Sequence, residues 1–181
     1  DLEYDWNYSH NDITKAAGSQ INTNCMTTGL PANSDHHGTA VLGELVSDNN
    51  GWGTTGICYD ASLFTCCTIT GTYPGTWNPA NAITLAISYM SAGDVILLEQ
   101  QWDYSYPSSN GWFVPIECWM TSYSNPLTTN TVHTAIQTAV ANGIHVVEAA
   151  GNGNWDLDDN NSINMDNFTD SGAIIVGAGG A

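Results

Sequence analysis

The stretch TVHTAIQTAVANGIHVVEAAGNGN, residues 131–154, decides the fold that we predict for this chain. Its first half predicts a helix, because apolar residues recur at the i, i+3, i+4, i+7 and i+8 spacing of one helical face. That face consists of Val132, Ala135, Ile136, Ala139 and Val140. Gly143 stands where helices commonly end in a left-handed residue. Residues 144–147 then predict a buried strand that carries Asn152 just beyond its carboxyl end, where open α/β sheets bind ligands.

A second helix and strand precede this unit. Asn78 and Pro79 predict a helix start, because asparagine caps helix N-termini and proline favours the first helical position. The helix is expected to run to Met90 and to end before Gly93, and residues 94–98 form a continuous apolar strand. This alternation predicts an α/β fold in three layers: a mostly parallel, twisted sheet with helices on both faces, in a single domain over residues 1–181.

A histidine opens the segment HGTAVLG, residues 37–43. The apolar residues Val41, Leu42, Leu45 and Val46 follow at helical spacing and predict one buried helix face. Packing of that face would hold the His37 imidazole in place while the ring still reaches solvent. A general base needs that fixed position, so His37 is the candidate base of a hydrolase. Asp35 and His36 suggest a metal site instead, but adjacent histidines point to different sides and chelate poorly.

Several segments, in this order along the chain, resemble those of a subtilisin-like serine protease. They are DLEYDWNYSHNDI at 1–13, HGTAVLG at 37–43, GICYDASL at 56–63, GDVILLE at 93–99 and VANGIHVVEAAGNGN at 140–154. The resemblance implies a subtilisin-like fold and a secreted endopeptidase that cleaves peptide bonds through an Asp/His/Ser triad. An endopeptidase of this kind needs no cofactor for its chemistry.

The resemblance implies a role for three residues. Asp1 would be the triad acid, His37 the base and Asn152 the donor to the oxyanion. Matching HNDI, residues 10–13, to the family's His-Pro-Asp-Leu favours Asp1 over its rival Asp5, although two extra residues then separate the acid from this motif. Residues 99–101 fall where the family has a Ser-Leu-Gly edge strand that pairs with substrate. The resemblance therefore implies that Glu99, Gln100 and Gln101 bind substrate, together with Ala150 and Gly151 directly before Asn152.

The nucleophilic serine of the family lies in a Gly-Thr-Ser segment, and no such segment follows Asn152. Ser171 precedes the apolar run at 173–177 and so leads into a strand, which makes it a poor candidate. We therefore expect a domain that is incomplete at both ends, whose partners are a peptide or protein substrate and the remainder of its own protease domain. The alternative is a non-catalytic or processed extracellular structural or assembly subunit, for which self-assembly is expected. A calcium-dependent carbohydrate-binding module would explain the tryptophans and acids, but not the parallel α/β pattern.

Charge excludes two classes of partner. The chain carries 18 acidic residues against one basic residue, Lys15, which gives a formal net charge of −17. Nucleic acids and anionic membranes are bound through Lys and Arg, of which this chain has a single residue, so neither is expected as a partner. Solubility explains the charge more simply than attraction of cationic peptides or metal ions.

Five cysteines without zinc-motif spacing favour disulfides in an oxidising, extracellular compartment, and the odd count leaves one thiol unpaired or joined to the missing part of the protein. The disulfide candidates are Cys25, Cys58, Cys66, Cys67 and Cys118. Three sequons make Asn7, Asn160 and Asn167 the glycosylation candidates. An acidic loop with oxygen ligands suited to calcium contains Asp156, Asp158 and Asp159, close to Asn154.

Overall fold

The fold is α/β, as the sequence predicts: a five-stranded parallel sheet with three helices packed on it. The structure is a computed structural model and describes residues 1–30, 34–72, 74–103, 113–118, 131–158 and 169–179. The helices are α1 (Ser34–Val46), α2 (Pro79–Ile87) and α3 (Thr131–Ala141), with 3-10 turns at Thr14–Ala16 and Ile116–Cys118. The strands are β1 (Leu2–Glu3), β2 (Cys66–Cys67), β3 (Ile69–Thr70), β4 (Thr76–Trp77), β5 (Val95–Leu98), β6 (Gln101–Asp103), β7 (Phe113–Pro115), β8 (His145–Ala149) and β9 (Ile174–Val176).

The contacts of the chain group into two compact units, Asp1–Ala86 and Ile87–Ala181. In the first unit, β1 pairs with β2 in parallel, with Leu2 opposite Cys66 and Glu3 opposite Cys67. The short strands β3 and β4 pair antiparallel. One cluster of buried apolar residues in this unit consists of Trp6, Ile13, Ala16, Leu42, Val46 and Cys67. The prediction of a single domain over residues 1–181 stays a prediction.

In the second unit, β8 lies between β5 and β9 and pairs in parallel with both. Helix α3 packs against β8 through the apolar stripe expected from its sequence, of which Val132, Ile136 and Ala139 are fully buried. Gly143 has a φ of +79° and its N–H donates to the Val140 carbonyl, so the predicted helix end is confirmed. A separate antiparallel ribbon joins β6 to β7.

Helix α2 begins where the sequence predicts and ends earlier. The Asn78 side chain accepts a hydrogen bond from the Asn81 N–H at 3.0 Å, which is the expected cap. The helix stops at Ile87 and does not reach Met90. Met90 donates instead to the Ile87 carbonyl in a turn, and the Asp94 carboxylate accepts from the Ser91 N–H at 2.8 Å. A local side-chain acceptor thus replaces the last turn of helix.

One disulfide, Cys25–Cys67, links two positions of the first unit that lie 42 residues apart in sequence. The other cysteines, Cys58, Cys66 and Cys118, are free thiols. The expectation of one leftover thiol is therefore corrected to three. Neighbouring residues of a strand face opposite sides, so Cys67 meets Cys25 while Cys66 faces the Ala82 carbonyl of α2. Burial raises the pKa of Cys66 to about 11, which keeps this thiol protonated.

The disulfide is consistent with an oxidising compartment. Among the described residues, no helix is long and apolar enough to cross a bilayer.

Candidate functional site

A buried carboxylate holds an exposed imidazole in the first unit. His37 Nδ1 lies 2.6 Å from Glu3 Oε1. The Glu3 side chain is 4% exposed, whereas that of His37 is 60% exposed. Because a carboxylate only accepts hydrogen bonds, Nδ1 carries the proton that joins the two, and the ring is oriented by a partner beneath the surface.

Glu3 occupies this position because of the strand pairing. Its carbonyl accepts from the Thr68 N–H at 2.9 Å, continuing the parallel ladder of β1 with β2. The two-residue strand is buried at both positions, so its acidic side chain has little access to water. A buried carboxylate is stabilised by a charged or hydrogen-bonding partner, and His37 supplies one.

His37 lies in the first turn of α1, which begins at Ser34, somewhat before the histidine expected to open it. The next residue, Gly38, lets this turn approach the chain that follows β1. A Cβ at Gly38 would lie 2.5 Å from the Asp5 carbonyl oxygen and 2.8 Å from the Trp6 ring. These distances are too short for any side chain, so the glycine is required for the close approach that brings His37 to Glu3.

A hydroxyl ties the same two segments together. The Asn7 N–H donates to Thr39 Oγ1 at 2.8 Å, and that hydroxyl donates in turn to the Asp35 carbonyl. The first turn of α1 is thereby joined to the loop after β1 by packing at Gly38 and by a hydrogen bond at Thr39. This double attachment fixes the helix that carries the imidazole.

Asp1 and Asp5 have other partners. Asp1 Oδ2 accepts from Trp6 Nε1 at 2.7 Å, and Asp5 Oδ1 accepts from the Trp6 backbone N–H at 2.9 Å. Burial raises the pKa of the Asp5 carboxyl, and the negative charge of Asp35 adds to this. The expected contact between Asp1 and His37 is therefore corrected: the acid that hydrogen-bonds His37 is Glu3.

The sequence contains a signal for Glu3. When HNDI is matched to the family motif, Asp1 lies two residues too far from it. An acid at the family's spacing from this motif would stand at position 3. A search for aspartate passes over this position because the residue there is glutamate. The alternative metal site at His36 gains nothing from the structure: His36 Nε2 lies 3.9 Å from Asp35 Oδ1, the His36 side chain is largely exposed, and that of Asp35 is partly exposed.

Asn152 follows the end of β8 in the second unit, as the sequence predicts, and is exposed. The loop that carries it lies against β7. A Cβ at Gly151 or Gly153 would lie 2.7 Å or 2.4 Å from the Phe113 carbonyl oxygen, and the Gly153 N–H donates to that oxygen at 2.9 Å. Gly151 also has a φ of +87°, which a residue with a side chain rarely adopts. Two glycines thus set the path of the backbone around Asn152.

The other predicted substrate-binding residues lie on both sides of this loop. The Ala150 N–H donates to the Val176 carbonyl at 3.0 Å, which prolongs the pairing of β8 with β9. Glu99 and Gln100 connect β5 to β6, with Gln100 buried and Glu99 half-buried. Gln101 is the first residue of β6, and its Oε1 accepts from the backbone N–H and the side-chain amide of Asn152. Substrate binding by these residues stays a prediction.

A buried acidic cluster joins Glu148 of β8 to Glu117 of the second 3-10 turn, and it was not singled out from the sequence. Glu148 is fully buried, and burial, followed by the charge of Glu117, raises its pKa to about 9. Glu117 is also buried, and its Oε2 lies 3.2 Å from His133 Nδ1. The signal was an acid in the apolar strand HVVEA, at an inward-facing position of the alternating pattern.

The acidic loop after Asn152 is only partly described. Asp156 and Asp158 are exposed, and the Asp158 N–H donates to Asp156 Oδ1 at 3.1 Å. Asp159 lies outside the described residues. Within the described parts of the chain, no group of three or more His, Cys, Asp or Glu residues is arranged to hold a metal ion. Calcium binding here stays a prediction.

Asn7 and Ser171 differ in their access to solvent. Asn7 is exposed, as a glycosylation site requires, and its side chain accepts from the Ser9 N–H at 3.0 Å. The other candidates, Asn160 and Asn167, lie outside the described residues. Ser171 is buried, precedes β9, and accepts from the Ala173 N–H. A buried serine before a strand is not placed to act as a nucleophile, which agrees with its dismissal from the sequence.

No protein-family model matches the chain, and no curated protein matches its sequence at a significant level.

Proposed function

We propose that this chain supplies the base, the orienting acid and an oxyanion donor of a secreted subtilisin-like serine endopeptidase, in which Glu3 takes the place of the family's aspartate. The hydrogen bond of 2.6 Å between His37 Nδ1 and Glu3 Oε1 carries the proposal. It joins a buried acceptor to an exposed ring, which leaves Nε2 of that ring as the proton acceptor toward solvent.

The proposed chemistry is acyl transfer. Nε2 of His37 removes the proton of a serine hydroxyl as the oxygen attacks the peptide carbonyl, and then returns the proton to the leaving amine. Glu3 stabilises the imidazolium formed between these steps and holds the ring in the productive tautomer. The proposal takes the serine from outside these 181 residues, because they contain no Gly-Thr-Ser segment after Asn152.

Asn152 is the proposed donor to the negatively charged oxygen of the tetrahedral intermediate. What supports this role is its exposed side chain directly after the carboxyl end of a parallel strand. A donor placed at this oxygen is worth about a hundredfold to a thousandfold in kcat in serine proteases of this type. A peptide or protein is the corresponding substrate, and the Cys25–Cys67 disulfide supports an extracellular location.

Labelling of the full-length protein by a fluorophosphonate probe tests the proposal, because the probe reacts with activated serines. We expect labelling of the wild type and its loss in His37→Ala, with His36→Ala as the matched control on the neighbouring exposed residue. Equal labelling of the two variants, or a folded wild type that neither labels nor cleaves peptides, would contradict it. The second result would favour the non-catalytic extracellular subunit.

A further inference from the structure

Gln101 contacts Asn152 through a single atom that accepts two hydrogen bonds. Its Oε1 lies 2.8 Å from the Asn152 backbone nitrogen and 2.9 Å from Asn152 Nδ2. Both donors belong to the same residue, so the glutamine fixes the main chain and the side-chain amide together. Each distance lies well within the range of a normal N–H to O hydrogen bond.

Both partners of this contact are held by the same strand. Gln101 pairs with Pro115 in the ribbon of β6 with β7. The Asn152 loop lies against Phe113 of β7, where Gly153 donates to the Phe113 carbonyl and Gly151 leaves no room for a side chain. The contact between Gln101 and Asn152 is therefore built on a hydrogen-bonded ribbon and a closely packed loop.

The contact with Gln101 determines which way the side-chain amide of Asn152 is turned. An amide group has an acceptor oxygen and a nitrogen with two hydrogens, and a rotation of about 180° exchanges the two ends. An acceptor at 2.9 Å from Nδ2 selects the orientation in which the nitrogen faces Gln101. One hydrogen of Nδ2 then binds Gln101, and the amide has a second hydrogen that it can donate to another acceptor.

We propose that Gln101 is a positioning residue for Asn152: it prevents the amide from turning and keeps one N–H directed to the oxyanion of the reaction. This inference rests on the proposed function, since only that function gives Asn152 an oxyanion to bind. Without the acceptor, the turned amide presents its carbonyl oxygen, which repels a negatively charged oxygen. Because Gln101 acts through Asn152, its removal cannot cost more than the loss of the Asn152 amide.

The experiment measures kcat and KM of the full-length enzyme on a peptide substrate. Gln101→Met has nearly the same shape but only a weakly accepting sulfur in place of the amide oxygen, and we expect kcat to fall by about tenfold to a hundredfold with little change in KM. Gln101→Glu keeps an oxygen at this position and should retain clearly more activity than Gln101→Met. Gln137→Met is the matched control, because that glutamine on α3 bonds Thr169 and the Asp170 carbonyl and should leave kcat unchanged.

A double-mutant cycle separates positioning from general structural support. In an Asn152→Ala background, Gln101→Met should cause no further loss of kcat, because the amide that it orients is gone. An equal loss in both backgrounds, or a wild-type kcat in Gln101→Met, overturns the inference while leaving the proposed function in place. A wild type without peptidase activity overturns the proposed function itself, and the inference with it.

Discussion

Gly38 lies so close to Trp6 that a Cβ at this position would come within 2.8 Å of the indole ring. Trp6 is 3% exposed and cannot move aside into solvent. The turn that carries His37 is thus seated directly on the loop that follows Glu3. The distance between imidazole and carboxylate therefore depends on a residue that takes no part in the chemistry.

Replacing this glycine should separate the two segments. We expect Gly38→Ala to lower the free energy of unfolding by about 1–3 kcal/mol, the usual cost of overpacking a core, and to lower activity by displacing His37. Urea unfolding and peptidase assays measure the two effects. Gly43→Ala in the same helix is the control, because the nearest neighbour of its Cβ among the described residues would be Ser47 Oγ at 3.9 Å.

The control variant should be neutral or slightly more stable, since alanine is favoured over glycine within helices by up to about 1 kcal/mol. Equal stability of Gly38→Ala and Gly43→Ala would show that the close approach at Trp6 is not required.

The identity of the acid is tested by two amide substitutions. Glu3→Gln keeps the shape but removes the charge that stabilises the imidazolium, and we expect kcat to fall on the order of a thousandfold to ten-thousandfold. Asp1→Asn keeps an oxygen that can accept from Trp6 Nε1, so its kcat should stay close to that of the wild type. Peptide hydrolysis by both full-length variants is the measurement. A greater loss in Asp1→Asn than in Glu3→Gln would return the acid role to Asp1.

The sequence predicted the elements of this fold where local signals agree with one another. Helix α3 combines an apolar stripe with a terminal glycine, and α2 combines a capping asparagine with a proline, so the end of α3 and the start of α2 could be read from single residues. A strand of two residues carries too few residues to show an alternating sequence pattern, and Leu2–Glu3 was not predicted as a separate strand.

The partner of His37 could not be read in the same way. Both Asp1 and Glu3 lie near the expected position, and they differ by two residues, so both point to the same side of an extended chain. The register of β1 with β2 and the close approach at Gly38 decide between them. Such choices depend on distances of a few ångströms between segments far apart in sequence. The contact of Gln101 with Asn152 was hidden for the same reason.

The buried acid Glu148 makes stability depend on pH. Its pKa rises from 4.5 in the unfolded chain to about 9 in the folded protein, chiefly because burial disfavours the charged form. The unfolded chain therefore loses this proton first as pH rises. The contribution of Glu148 is fully present below pH 4.5 and is lost progressively as pH rises from there toward 9.

We expect the free energy of unfolding of the wild type to fall more steeply over this pH range than that of Glu148→Gln, by up to about 1.4 kcal/mol per pH unit. Urea unfolding at a series of pH values gives both slopes. Asp158→Asn, at an exposed carboxylate, serves as the control and should follow the wild type. Identical slopes for the wild type and Glu148→Gln would contradict a protonated, buried Glu148.

The Cys25–Cys67 disulfide should contribute to the stability of the first unit, since Cys67 lies opposite Glu3 in the pairing of β1 with β2. A crosslink across 42 residues lowers the entropy of the unfolded chain, which corresponds to about 4 kcal/mol in the loop-closure model. Cys25→Ser should therefore lower the free energy of unfolding by an amount of this order, and reduction should reproduce the effect in the wild type. Cys58→Ser removes an exposed thiol outside the disulfide. It should change neither the free energy of unfolding nor the effect of reduction on it. If reduction left the unfolding transition of the wild type unchanged, the two sulfur atoms would not be joined in solution, and β2 would depend on its hydrogen bonds and core contacts alone.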